Sequence, residues 1–331
     1  MRRSGLFAVF ALFAALLAGC GGSSSSSSSE TDGGTQSASS QPPAHFPSAA
    51  GKTFQSLRKG LAKGPILAPS TTNSLERGRV NRFGFALFNA DRSQLQGAQA
   101  AVYTAAADGT HLQGPYVAKA ESLKVSPRFE SQTTASDPDA AKAVYVAKVP
   151  LTGRKTIIFG LAQVNGKMVS VGGLELTPAT PDNPRLPPDV GQPVPRIHTP
   201  TLTSAHGNAK AIDTRVPAAT DLLRDDLYDV LGKKPVVLTF ATPQLCQSRV
   251  CGPVVDVVDQ VKSEVGDKAS FIHVEIYNDN DANKGFRPQV KAFRLPTEPW
   301  TFVIDRSGRV STRFDGAFSV DELRAAVGKV T

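Results

Sequence analysis

One stretch narrows the choice of fold more than any other. Pro235 to Phe240 (PVVLTF) runs into two cysteines, Cys246 and Cys251, and the chain then turns helical as far as Val265. The β-branched run has the composition of a strand buried on both faces, the kind a parallel sheet uses. Val254, Val255, Val257, Val258, Val261 and Val265 follow at helical spacing, and Gly266 supplies a stop. A strand that hands over to a helix through a cysteine-bearing turn commits this part of the chain to an α/β layer, and the only chemistry it offers is that of thiols.

The surrounding pattern continues as β-α-β. A helix is expected over Ala218 to Leu231, a strand over Phe271 to Tyr277 (FIHVEIY), and a loop and helix over Asp279 to Phe293. Trp300 to Asp305 and Val310 to Phe314 read as a strand pair joined through Arg306, Ser307 and Gly308, and Ser319 with Glu322 forms an S-x-x-E box opening a last helix that ends near Gly328. With the cysteines, these elements resemble the thioredoxin fold over residues 190–331. Val190-Gly191-Gln192-Pro193-Val194-Pro195 resembles the opening of the thioredoxin-like domains related to peroxiredoxins. Glu298-Pro299-Trp300 resembles the segment where thioredoxin-like proteins place a cis-proline opposite their cysteines. The resemblance implies a cis bond at Pro299, with Pro296 as the alternative register, and a client groove contacted by Glu298, Pro299 and Trp300.

The sequence departs from that family in two places. Thioredoxins use C-x-x-C, whereas Cys246 and Cys251 enclose four residues. In an undistorted helix that spacing gives a rise of about 7.5 Å and a turn of about 140°, beyond the roughly 7 Å limit for a disulfide. Either the turn unwinds on oxidation or the helix starts only after it, and Gly252-Pro253 suits both. The buried aspartate that thioredoxins carry before their cysteines is Thr239 here, which leaves Glu275 on the neighbouring strand as the candidate base. Cys246, at the strand-to-helix turn with Arg249 as its nearest cation, is the expected nucleophile, and Cys251 the resolving thiol. Q-type peroxiredoxins share the five-residue separation, but their threonine three residues before the first cysteine is Pro243 in this chain, with Thr242 one position farther away. SCO-type copper chaperones pair two cysteines with a late histidine, and the only counterpart is His273. Peroxidase and copper-chaperone activities are therefore lesser alternatives, and neither a resident metal nor a cofactor is expected.

The other half of the chain has a different period. Phe83, Phe85 and Leu87 share one face of Arg82 to Phe88, Ala98 to Tyr103 and Ala143 to Val149 follow as strands, and Thr156 to Val164 meets Lys167 to Leu176 across Asn165-Gly166, a hairpin signal. Short strands without helical periodicity predict an antiparallel, immunoglobulin-like sandwich over residues 75–177. Proline-dense residues 178–189 form a linker to the second domain.

The N-terminus bears on where those cysteines work. Arg2 and Arg3 precede an apolar run from Leu6 to Leu17, too short to remain as a membrane span, so residues 1–19 read as a signal peptide. Leu17-Ala18-Gly19-Cys20 resembles the bacterial lipoprotein box, which implies a lipidated Cys20, a membrane anchor and an extracytoplasmic location. Residues 20–74 are expected to be a mostly disordered tether, of which Gly21 to about Ala50, with the run Ser23 to Ser29, has a reach of about 30 Å. Export leaves Cys246 and Cys251 where disulfides persist, free to pair with each other or with a partner. The chain has 37 basic against 29 acidic residues, a net charge of +8 that includes the two leader arginines. No basic block is interleaved with aromatics, so nucleic acid is not an expected partner. The expected partners are exported client proteins or a membrane thiol donor. The function that follows is thiol-disulfide exchange, and its rival is a non-catalytic binding module with a structural disulfide.

Overall fold

Apolar alternation carries the first half of the chain. The computed structural model describes residues 44–331 apart from 71, 73, 181 and 182; the leader, Cys20 and the serine run lie outside the described residues. The strands are β1 (Ala62–Lys63), β2 (Ile66–Pro69), β3 (Arg79–Phe88), β4 (Gln99–Ala106), β5 (Gln113–Ser122), β6 (Ala143–Leu151), β7 (Thr156–Val164) and β8 (Lys167–Leu176). They form one sheet in the order β1-β8-β7-β4-β5-β6-β3-β2, antiparallel throughout except for the parallel pair β1/β8. The inward residues of β3 and β6 meet those of β4, β7 and β8 across a single core, which includes Phe85, Tyr145, Val102 and Ile158. The expected hairpin turns at Asn165 and Gly166, both at positive φ, as a two-residue hairpin turn of this kind requires.

The tether expected to run to residue 74 stops sooner. Phe46, Ala49 and Leu57, the last in the short helix α1 (Phe54–Arg58), cover Tyr103 and Phe159 on the outer face of β4 and β7. Burial of those aromatics outweighs the entropy of ordering the segment. Strand β5 was not legible in the sequence, because its mixed burial, Pro115 and alternating charges blur the two-residue period.

The second half keeps the expected order. Strand β9 (Val236–Phe240) leads to a helix over Cys251–Val265, then β10 (Ser270–Val274), a short helix over Pro288–Ala292, β11 (Trp300–Ile304), β12 (Val310–Asp315) and a helix over Val320–Val327. The sheet order is β10-β9-β11-β12, with β9 and β10 parallel and β11 antiparallel to both its neighbours. That is the thioredoxin-like arrangement expected for this part of the chain. The Cys251–Val265 and Val320–Val327 helices cover one face through Val254, Val258, Leu323 and Ala326. Val290, Phe293 and Trp300 pack on the other.

The helix expected over Ala218 to Leu231 is instead two short turns. Asp226 interrupts it by bonding the backbone N–H groups of Thr199 (2.8 Å) and Tyr228 (3.0 Å), which caps only Leu227–Val230. The segment expected as loop and helix has both: Asp279 and Asn280 at positive φ and two 3₁₀ turns, Asn278–Asn280 and Ala282–Lys284, make the loop, and Pro288–Ala292 is the helix. With these ranges given, the helices are α1, α2 (Gln132–Ala135), α3 (Leu227–Val230), α4 (Cys251–Val265), α5 (Pro288–Ala292) and α6 (Val320–Val327).

The S-x-x-E box is formed. Ser319 Oγ accepts from Glu322 N–H at 3.2 Å and donates to Glu121 Oε2 of β5 at 2.7 Å. Ser319→Ala removes both bonds, and denaturant unfolding should record a loss of about 1–2 kcal/mol.

The two sheets share contacts that reach the cysteines. Between β5 and β6 the chain makes a 3₁₀ turn (Pro127–Phe129) and α2, and both rest on α4. Arg215 ties this insert down. Its Nε pairs with Asp256 of α4 at 2.8 Å, and its Nη2 donates to Phe129 O at 2.7 Å. Ser131 N–H also donates to Asp256, at 3.2 Å. Leu123, Val144 and Val146 of the first half join the α4 and α6 residues in one core.

Candidate active site

The chain leaves β9 at Phe240, turns through Pro243 to Val250, and becomes helical only at Cys251, with Pro253 in the first helical turn. Of the two routes open to the wide cysteine spacing, the fold takes the late helix. Cys246 and Cys251 are joined by a disulfide with Cα atoms 6.0 Å apart, within the usual bridging range. Cys246 is 6% exposed and Cys251 is fully buried, so Cys246 is the sulfur an incoming thiolate reaches.

Two expectations about Cys246 change. The helix N-terminus belongs to Cys251, and the nearest recorded polar partner of Cys246 is the Ser248 hydroxyl at 3.3 Å. Arg249, expected as its cation, has a positive φ that turns it away to Asp137 Oδ2 at 3.1 Å, while Arg249 O accepts from Ala141 N–H at 3.0 Å. The β-sheet half thus holds the cysteine turn in place.

The carboxylate at the sulfurs is Glu298. One of its oxygens and the two sulfurs all lie within 4.8 Å of one another. The Glu298–Pro299 bond is cis, as the family resemblance implies, and Pro299 O accepts from Gly316 N–H at 2.9 Å. Among the described residues, Glu298's own N–H and C=O make no backbone hydrogen bond, which leaves them open to an extended segment. Glu298 Oε2 is buried without a hydrogen-bond partner among the described residues. Burial, and then the charge of Glu275, pushes the Glu298 carboxyl up to about 7. It is therefore half protonated near neutrality and can donate to a leaving sulfur below that pH.

Glu298→Gln tests this role. In wild type the acid-assisted part of the exchange rate is present below pH 7 and lost as pH rises through about 7. In the variant that inflection should vanish. The rate at pH 6 should fall about tenfold, less than general acids usually give because a thiolate leaves well without a proton. Stopped-flow reduction, normalised to the thiolate fraction of the reductant, reads both effects.

Other expected site residues sit elsewhere. Glu275 belongs to a separate buried cluster with Asp213 and His273 and bonds Thr214 N–H at 2.7 Å, so the carboxylate grouped with the sulfurs is Glu298 instead. His273, whose Nε2 donates to Ala241 O at 3.1 Å, is grouped with Asp213 and Glu275 and not with the sulfurs, so the Cys246, Cys251 and His273 copper arrangement is not brought together. Trp300, expected at the client groove, is fully buried; its ring stacks on Phe302 and its Nε1 donates to Thr297 at 3.1 Å. Strand alternation at β11 explains this, because Trp300 is the first residue of a strand covered on both faces.

Two adjoining cavities of about 620 and 340 Å³ flank the site and share Ser70, Gln247, Ser248 and Glu298. Ser70, just past β2, packs so closely on Gly316 that no side chain fits there. The first half of the chain therefore forms one wall of the cleft. No local pattern marks Ser70, whose contact with Gly316 joins distant segments, while Ser248 lies in the cysteine turn two residues after Cys246.

No family model and no curated protein matches this chain. Among solved structures, the chain is similar to the thiol:disulfide interchange protein, thioredoxin family protein from Chlorobium tepidum TLS, at 20% identity over 44% of this chain and 96% of that one, with a TM-score of 0.28. A likeness that weak adds nothing to the strand order and disulfide described above.

Proposed function

We propose that this chain is an exported, lipid-anchored bacterial protein whose thioredoxin-like half exchanges disulfides with exported client proteins, and whose first half is an immunoglobulin-like module walling the client cleft. The observation that carries the reading is the Cys246–Cys251 disulfide with the Glu298 carboxylate grouped at its two sulfurs, in the wall shared by two cavities. The leader and Cys20 motif support the location. Among the described residues no helix is long and apolar enough to cross a membrane. The parallel β1/β8 pairing and the core shared by β3 and β6 with β4, β7 and β8 support the immunoglobulin-like reading, although β5 joins the two faces into one continuous sheet.

In the oxidised form, a client thiolate attacks Cys246 Sγ and the S–S bond breaks toward Cys251. The Cys251 thiolate leaves at the start of α4, where the helix N-terminus favours negative charge. A second client thiolate then attacks the mixed disulfide and releases Cys246. The client loses two electrons to the pair, forming its own disulfide, and Glu298 delivers one of the protons the departing sulfurs take up. The reverse sequence reduces a client disulfide.

The recessed sulfurs favour one rival, a staple that holds the turn in a non-catalytic binding module. Trapping separates the two. Reduced Cys251→Ser incubated with a disulfide-bearing peptide should accumulate a Cys246-linked adduct by mass spectrometry, and absence of any adduct would favour the staple.

A further inference from the structure

We propose that Asp213, His273 and Glu275 form a buried binding site for a divalent transition-metal ion, separate from the disulfide. One ligand atom from each lies within 4.8 Å of the other two, and none of the three residues is more than 2% exposed. His273 decides the chemistry. Its Nε2 faces the Ala241 carbonyl at 3.1 Å, and a carbonyl only accepts, so Nε2 carries the hydrogen. In the neutral ring Nδ1 is then a bare lone pair. It has no hydrogen-bond partner and faces Asp213 Oδ1, another acceptor, at 3.5 Å.

The carboxylates are oriented in the same way. Asp213 is fixed by the N–H groups of Arg215 and Ala219, each at 2.8 Å. Glu275 Oε1 accepts from Thr214 N–H and Oγ1 at 2.7 and 2.8 Å, and its buried Oε2 makes no well-formed hydrogen bond among the described residues, with the Thr242 hydroxyl beside it. His273 is held through Nε2 and Glu275 through Oε1, while Asp213 Oδ1 faces His273 Nδ1 and accepts from Arg215 N–H as well, with a second lone pair left for the space between them. That is how protein metal ligands are set by their second shell.

Among the described residues, neither carboxylate has a lysine or arginine at ion-pair distance. Arg287, which acts on Glu275 electrostatically, donates through Nη2 to Ala211 O and Asn280 Oδ1, and its Nε is buried with no hydrogen-bond partner among the described residues. Thr242 Oγ1, buried beside Glu275 without a well-formed hydrogen bond, offers a further oxygen. One imidazole with two carboxylates suits Zn²⁺ or a neighbouring first-row ion better than a soft, thiolate-seeking one.

The test is elemental analysis of the full chain produced in zinc-supplemented medium and dialysed against buffer. Wild type and the Cys246→Ser/Cys251→Ser double variant should each retain roughly one zinc per chain. His273→Gln should lose it. Glu275→Gln, which keeps an acceptor for Thr214, should weaken zinc by more than the roughly 100-fold that loss of a second-shell partner costs. Folding of each variant is checked by circular dichroism, and Glu275→Gln decides if His273→Gln does not fold. Absence of zinc from wild type, zinc unchanged in these variants, or zinc lost only with the cysteines would each overturn the proposal. None of these outcomes depends on disulfide exchange.

Discussion

Cys246→Ser is expected to reduce turnover of an insulin-type disulfide substrate by roughly 10³-fold or more, because a serine hydroxyl neither attacks nor exchanges with a disulfide sulfur at neutral pH. Cys246 is the accessible member of the pair, so no other sulfur among the described residues can take over its step. Cys251→Ser should behave differently. It keeps the first attack and stalls as a mixed disulfide, giving a single turnover in place of many. A turbidity assay with a thiol reductant reads both. Equal turnover by wild type and Cys246→Ser, or none by either, would assign the disulfide to structure.

Arg215→Ala is expected to cost about 3–5 kcal/mol of stability, because it strands a buried charge. The Arg215 side chain is 4% exposed and Asp256 only 1%. Arg215 also holds Phe129 O and Pro217 O, at 2.7 Å each, and lies 3.4 Å from Asp259, whose carboxyl is raised by burial. Its removal leaves acceptors on α4, on the 3₁₀ turn of the insert and on the Pro217 segment together. The double variant Arg215→Ala/Asp256→Asn should recover part of the loss, since the amide carries no charge. Urea unfolding measures both, and a single-variant loss under about 1 kcal/mol would mean that the insert is not anchored through this residue.

Much of the architecture was legible because its cues are local. Val254 to Val265 repeats at helical spacing, Asn165-Gly166 marks a hairpin, and Ser319 with Glu322 marks a helix start. Each of these elements is present. The failures arise where distant contacts decide. Asp226 interrupts a plausible helix by capping Leu227–Val230 while accepting from Thr199 N–H, well before it in sequence. Phe46 to Leu57, polar enough overall to read as tether, is ordered because three apolar side chains find the outer face of β4 and β7.

The candidate site was legible in its parts but not in its wiring. Cys246, Cys251 and Glu298 were singled out, yet the carboxylate that accompanies the sulfurs is Glu298 and not Glu275, because the cis-proline turn brings residue 298 across to a cysteine turn some fifty positions earlier. Trp300 looked like a contact residue because it adjoins Pro299, but its strand carries it into the core. The β2 wall at Ser70 depends on how two sheets pack, which no local pattern encodes.

The reduction potential of the Cys246–Cys251 pair, equilibrated against glutathione and followed by alkylation and mass spectrometry, tests the central claim most directly. A pair that trades electrons with clients should lie between about −120 and −270 mV, where thiol-exchange proteins operate. A value below about −300 mV, that of a bond glutathione does not open, would contradict it and leave the disulfide a staple.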